Sequence, residues 1–195
     1  MLKFADLFEN TTFSNWLQRI IKQFPQRITI GNHGLNHRSW SAWPEDSDGL
    51  LAALVEADVS LHNFAGDQWR PWFRAPAGYI APWMAPVIAK AGFELDTSVN
   101  NSWLTKKKAG PWKDWNAVLK ALKDAGLESK PWLTRWGLPT CGPALSTPFL
   151  AWNARRAWSE LGPAVGPEET DTTVYWHLLD HARKGGQWRP PLKLA

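Results

Sequence analysis

From residue 13 onward the apolar positions fall into short blocks whose spacing alternates between helical and extended. Phe13, Trp16, Leu17, Ile20, Ile21 and Phe24 recur every three or four residues, which predicts a helix with Ser14 as its N-cap and Pro25 as its stop. Arg27-Ile28-Thr29-Ile30 predicts a short strand broken by Gly31. Leu50 to Phe64 reads as an amphipathic helix whose stripe runs through Leu51, Leu54, Val55, Val59 and Leu61. Trp72-Phe73-Arg74 is a strand end, and Pro76 and Gly78 turn the chain after it. Pro82 to Ala91 predicts a helix closed by Gly92, and Phe93-Glu94-Leu95 a strand ending at Asp96. Three helices alternating with three strands through short loops predict a parallel α/β sheet or barrel.

Beyond residue 100 the pattern thins. Asn116 to Ala125 and Pro148 to Leu161 predict helices, and Thr172 to Trp176 a last strand. The Pro-, Gly- and Thr-rich stretch from Trp132 to Pro148 reads as an irregular crossing. Pro190-Pro191-Leu192 reads as a frayed end. At 195 residues the chain predicts one domain over 1–182, with 183–195 as a tail.

Composition narrows the function classes. With 44% hydrophobic and 21% charged residues, the chain is ordinary globular material. Its net charge of +4 is scattered; the one tight cluster, Lys106-Lys107-Lys108, reads as a solvated loop. A single cysteine, Cys141, excludes an intramolecular disulfide. No apolar run is long enough to span a membrane, and the first residues carry no signal-peptide pattern. The expectation is a cytoplasmic protein, or an extracytoplasmic one if the native start lies upstream. Tryptophan is the anomaly, at 15 residues against 2 tyrosines. Indole offers a broad flat face on which sugar rings stack, and Trp40, Trp72, Trp83 and Trp103 lie nearest the polar motifs. Binding of RNA or DNA by these aromatics is not expected, because no basic stripe accompanies them.

The polar motifs sit at strand ends. His33 and His37 follow the first strand four residues apart, so that on one helical turn both face a single metal. Arg74 ends the second strand in Arg74-Ala75-Pro76-Ala77-Gly78-Tyr79, where a permanent charge and backbone donors meet at a rim. Asp96 ends the third strand, either at a functional rim or as a helix N-cap. His177 ends the last predicted strand and His181 follows four residues later, while His62 lies inside a helical pattern and reads as structural.

This ordered series resembles the polysaccharide deacetylase (NodB-homology) family, carbohydrate esterase family 4. The likeness is densest over residues 28–100, with Gly92-Phe93-Glu94-Leu95-Asp96-Thr97-Ser98 its most specific segment. The resemblance implies a distorted (β/α) barrel and a metal-dependent hydrolase that removes N-acetyl groups from a sugar or polysaccharide. It implies a divalent metal on His33 and His37, zinc first, with cobalt or iron as alternatives. Arg74 matches the arginine that orients the base, and Asp96 the carboxylate behind it. His177 matches the general acid, with His181 as second choice. Ala77 matches the position whose backbone N–H holds the oxyanion, and Tyr79 and Trp103 fall on the substrate side. The family's first motif, T-F-D-D-G, supplies the base and the third metal ligand, and it is missing. Leu2-Lys3-Phe4-Ala5-Asp6-Leu7 is either a degraded copy in which Asp6 survives as ligand, or part of the second strand of a chain incomplete at its N-terminus. The alternative function is therefore a non-catalytic carbohydrate-binding remnant. Oligomeric state, sugar and acyl group stay open.

Overall fold

A computed structural model describes residues 11–112, 114–142, 145, 147–161 and 173–174. The elements run α1 (Thr11–Gln23), β1 (Ile30–Asn32), α2 (Ser47–Ala65), β2 (Trp69–Phe73), α3 (Met84–Lys90), β3 (Leu95–Asp96), α4 (Trp115–Asp124), β4 (Glu128–Ser129), β5 (Thr134–Arg135), β6 (Leu138–Pro139) and α5 (Pro148–Ser159). Strands β1 to β4 form one parallel sheet in sequential order, and β5 and β6 form a separate antiparallel hairpin. The mixed α/β expectation holds at this level.

Sequential order has a consequence for the layers. Parallel β-α-β crossovers are right-handed in nearly all proteins, so strands added in one direction put their helices on one face. Helices α2, α3 and α4 accordingly pack side by side. Leu50 and Leu54 of α2, Phe73 of β2, Met84 and Ile88 of α3, and Val118 and Leu122 of α4 bury a single core. Each such side chain stabilises the fold by about 1.5–3 kcal/mol.

Local chemistry explains the boundaries. Asp46 caps α2, its Oδ1 accepting from the Gly49 N–H at 2.9 Å. The buried stripe of α2 is Leu50, Leu54, Ala57, Leu61 and Ala65, whereas Val55 and Val59 face outward. The predicted stripe was thus rotated, because adjacent apolar pairs such as Leu50-Leu51 and Leu54-Val55 mark two overlapping faces. Helix α1 includes Ser14, so Ser14 is not its N-cap. Gly31 lies inside β1 rather than breaking it: a Cβ there would meet the Trp72 carbonyl oxygen at 2.9 Å, so only glycine lets β1 lie this close to β2. His62 is exposed and stacks on Trp69 at 5.0 Å, a surface contact.

The register aligns the strand ends. Asn32 pairs with Phe73, Phe73 with Asp96, and Asp96 with Ser129, forming one row across the sheet. The residues just beyond that row, at the C-terminal edge, are His33, Arg74, Thr97 and Lys130. Past β4 the chain continues along the same edge, where the Trp132 N–H donates to the Val99 carbonyl at 2.9 Å. Thr173, within the predicted last strand Thr172 to Trp176, makes an isolated parallel bridge to Trp132.

Candidate functional site

His33 and His37 meet at the end of β1. Their ring centroids are 5.0 Å apart in an edge-on arrangement. The predicted helical turn is not what joins them. Residues 33–39 form a loop in which Gly34 and His37 both adopt positive φ, 81° and 54°. Asn32, buried at the end of β1, starts that loop by accepting the Gly34 N–H on Oδ1 at 2.7 Å. The left-handed residue at His37 costs backbone energy and folds the loop so that the two rings meet.

His33 Nδ1 lies 2.8 Å from the Arg74 carbonyl oxygen. A carbonyl only accepts, so Nδ1 carries a proton, and in the neutral ring the lone pair is on Nε2. This is the arrangement in which an imidazole ligates a metal through Nε2 while its other nitrogen fixes the ring. The residues therefore suit a two-imidazole half-site, though among the described residues no group of three or more His, Cys, Asp or Glu side chains could hold an ion.

Arg74 follows β2, and its N–H donates to the Asn32 carbonyl at 2.9 Å. Its guanidinium lies 4.4 Å over the Trp132 ring, a cation–π contact that fixes a permanent charge at the sheet edge. Trp132 is itself anchored, its Nε1–H donating to the Thr97 carbonyl. Sequence reading placed Trp132 only at the start of an irregular crossing; its register position beside Val99 was the missing information.

Asp96 is fully buried. Its Oδ1 accepts the Ser98 N–H at 2.9 Å and its Oδ2 the Ser98 Oγ–H at 2.5 Å. Ser98 Oγ in turn accepts the Ala75 N–H at 2.7 Å, so Asp96 braces the first residues of the Arg74–Tyr79 turn through Ser98. Burial pushes the carboxyl up to about 6 against the opposing effect of the Ser98 bonds and the Arg74 charge.

Ala77 is exposed and left-handed, with φ 53° and ψ 14°. Lys108 reaches it: Nζ donates to the Ala77 carbonyl at 2.6 Å and sits 5.4 Å from the centre of the half-buried Tyr79 ring. Burial, with Lys107 beside it, holds this amine below the usual lysine range. Lys108 is thus part of the rim, whereas Lys106 and Lys107 are exposed as expected.

Trp103 is exposed, Trp72 is at the margin of exposure, Trp83 is half-buried, and Trp40 is buried with Arg38 stacked on its ring. Asp6, His177 and His181 lie outside the described residues. No described helix is long and apolar enough to cross a membrane. Compared with family models, curated proteins and solved structures, the chain finds no match.

Proposed function

We propose that the protein is a metal-dependent amide hydrolase of the polysaccharide deacetylase type, acting on an N-acylated sugar or polysaccharide. The observation that carries this reading is the His33–His37 pair at the C-terminal edge of a parallel sheet, beside Arg74. In barrels and open α/β sheets alike, that edge is where sites are built. The sequential strand order, with its helices on one face, supports a barrel of the deacetylase kind, since it contains no reversal.

The chain's own residues divide the work. His33 and His37 would hold a divalent ion, zinc first and cobalt or iron as alternatives, with Asp6 as the candidate third ligand. When bound, the ion supplies Lewis-acid polarisation of the acyl carbonyl. Arg74, stacked on the Trp132 ring, holds a positive charge at the rim. Asp96 and Ser98 brace the turn that carries Ala77, whose backbone N–H is the proposed oxyanion donor. Tyr79 and Trp103 offer flat faces to a sugar. His177, or His181 in its place, is the proposed acid that protonates the leaving amine.

A second reading is a carbohydrate-binding remnant without turnover, favoured by the missing T-F-D-D-G motif that would supply the base and the third ligand. Acetate release from N-acetylglucosamine oligomers, with zinc supplied, separates the two. The hydrolase reading expects metal-dependent release that His33→Ala or His37→Ala lowers by about 10²-fold or more. Oligomer binding with no release from the wild-type chain selects the remnant.

A further inference from the structure

Trp136 stands where its backbone is strained. With Gly137 it forms the two-residue turn between β5 and β6, at φ 56° and 68°. Positive φ at both central residues is the geometry that Asn-Gly or Asp-Gly satisfies and that a large side chain opposes. Strain at such a position points to a use for the side chain. The indole is 64% exposed, yet it is held. The Arg135 guanidinium lies 4.1 Å over one face, and is itself tied to Glu160 at 3.0 Å and to Asn153 at 3.4 Å.

The neighbours are aromatic and exposed as well. Trp152 of α5 lies 6.2 Å from Trp136, and Phe149 stacks 6.0 Å from Trp152; they are 47% and 58% exposed. Trp103, 56% exposed, lies against the same turn. Its N–H donates to the Gly137 carbonyl at 3.1 Å, and a Cβ on Gly137 would fall 2.8 Å from its Cδ1. Three indoles and one phenyl ring from three separate segments therefore share one surface.

We propose that this surface is a carbohydrate-binding subsite that continues from Trp103 away from the His33–His37 pair and takes a neutral oligosaccharide by stacking on its ring faces. A neutral ligand is favoured at Trp136, because the guanidinium stacked on that ring is already paired with Glu160. A sugar is favoured by flat aromatic faces edged by the Arg135–Glu160 pair, whose Glu160 carboxylate is exposed and can accept from hydroxyl groups. Continuity points the same way. Trp132, under Arg74, precedes Trp136 by four residues, and the chain leaving Asp96 reaches Trp103 seven residues later. An oligosaccharide engaged at the His33–His37 pair would extend along these segments. The choice of sugar as ligand rests on the proposed function of the His33–His37 site; the aromatic surface itself does not.

The test is binding of uncharged N-acetylglucosamine hexamer to the full chain in EDTA, read by indole fluorescence and calorimetry. Removing metal keeps this result independent of catalysis, so failure of acetate release leaves it intact. Trp136→Asn places a residue that suits the turn and removes the face. We expect its affinity for the hexamer to fall about tenfold or more, with a melting temperature equal to or above that of wild type. Trp152→Ala should weaken hexamer binding as well. Hexamer affinity unchanged in Trp136→Asn overturns the proposal. So does a wild-type chain that does not bind the hexamer, or one that binds an oligothymidylate in its place.

Discussion

Replacing Asp96 by alanine is expected to cost about 2–6 kcal/mol of stability, because it leaves two buried donors, the Ser98 N–H and Oγ–H, without their acceptor at about 1–3 kcal/mol each. The turn carrying Ala77 should loosen with it, since Ala75 N–H is bonded to the same Ser98 Oγ. Asp96→Asn keeps an acceptor for the Ser98 N–H and loses less. The two variants also differ from wild type in their pH dependence. The folded carboxyl titrates near 6, against 3.8 ordinarily. Between those values the folded state holds a proton that the unfolded state has lost. Wild-type stability from this group is therefore greatest below about pH 4, declines as pH rises to about 6, and is flat above it, a total of about 3 kcal/mol. Urea denaturation across pH 4–7 should show this decline in wild type and its absence in Asp96→Asn. An equal slope in both would assign the titration to another group.

Trp132→Ala should cost a further large amount, about 3–5 kcal/mol. Four contacts go at once: the ring under Arg74, the Nε1–H bond to Thr97, the packing against Gly78, and the fill of a buried position. Trp132→Phe separates them. It keeps an aromatic face for the guanidinium and loses the bond to the Thr97 carbonyl, so the expected loss is about 1–3 kcal/mol. Thermal denaturation of the two variants orders them. Equal losses would mean that the hydrogen bond, rather than the aromatic face, fixes Trp132.

How far the sequence reaches can be judged residue by residue. The alternation from 13 to 96 is legible because buried parallel strands and their helices have distinct periods, and His33, Arg74 and Asp96 do stand at or just past strand ends. The phase of α2 is not legible, since Leu50, Leu51, Leu54 and Val55 offer two stripes and only the sheet decides between them. Strand β4 is missed because Glu128-Ser129 is polar and two residues long; its pairing comes wholly from β3. The β5–β6 hairpin is missed because Trp136-Gly137 lacks the Asn-Gly or Asp-Gly turn signal. Lys108 reads as one of three surface lysines until the fold brings Ala77 to it, 31 positions away. The meeting of His33 and His37 follows from their spacing only by coincidence with a helix, since a loop with a left-handed His37 achieves it instead.

A metal held by His33 and His37 would show in anomalous diffraction at the zinc edge from crystals grown with zinc. The expected peak lies about 2.0–2.1 Å from His33 Nε2 and within bonding distance of a His37 ring nitrogen, and is absent in His33→Ala. A saturated crystal with no peak between the two rings, or with its strongest peak at other side chains, would contradict it.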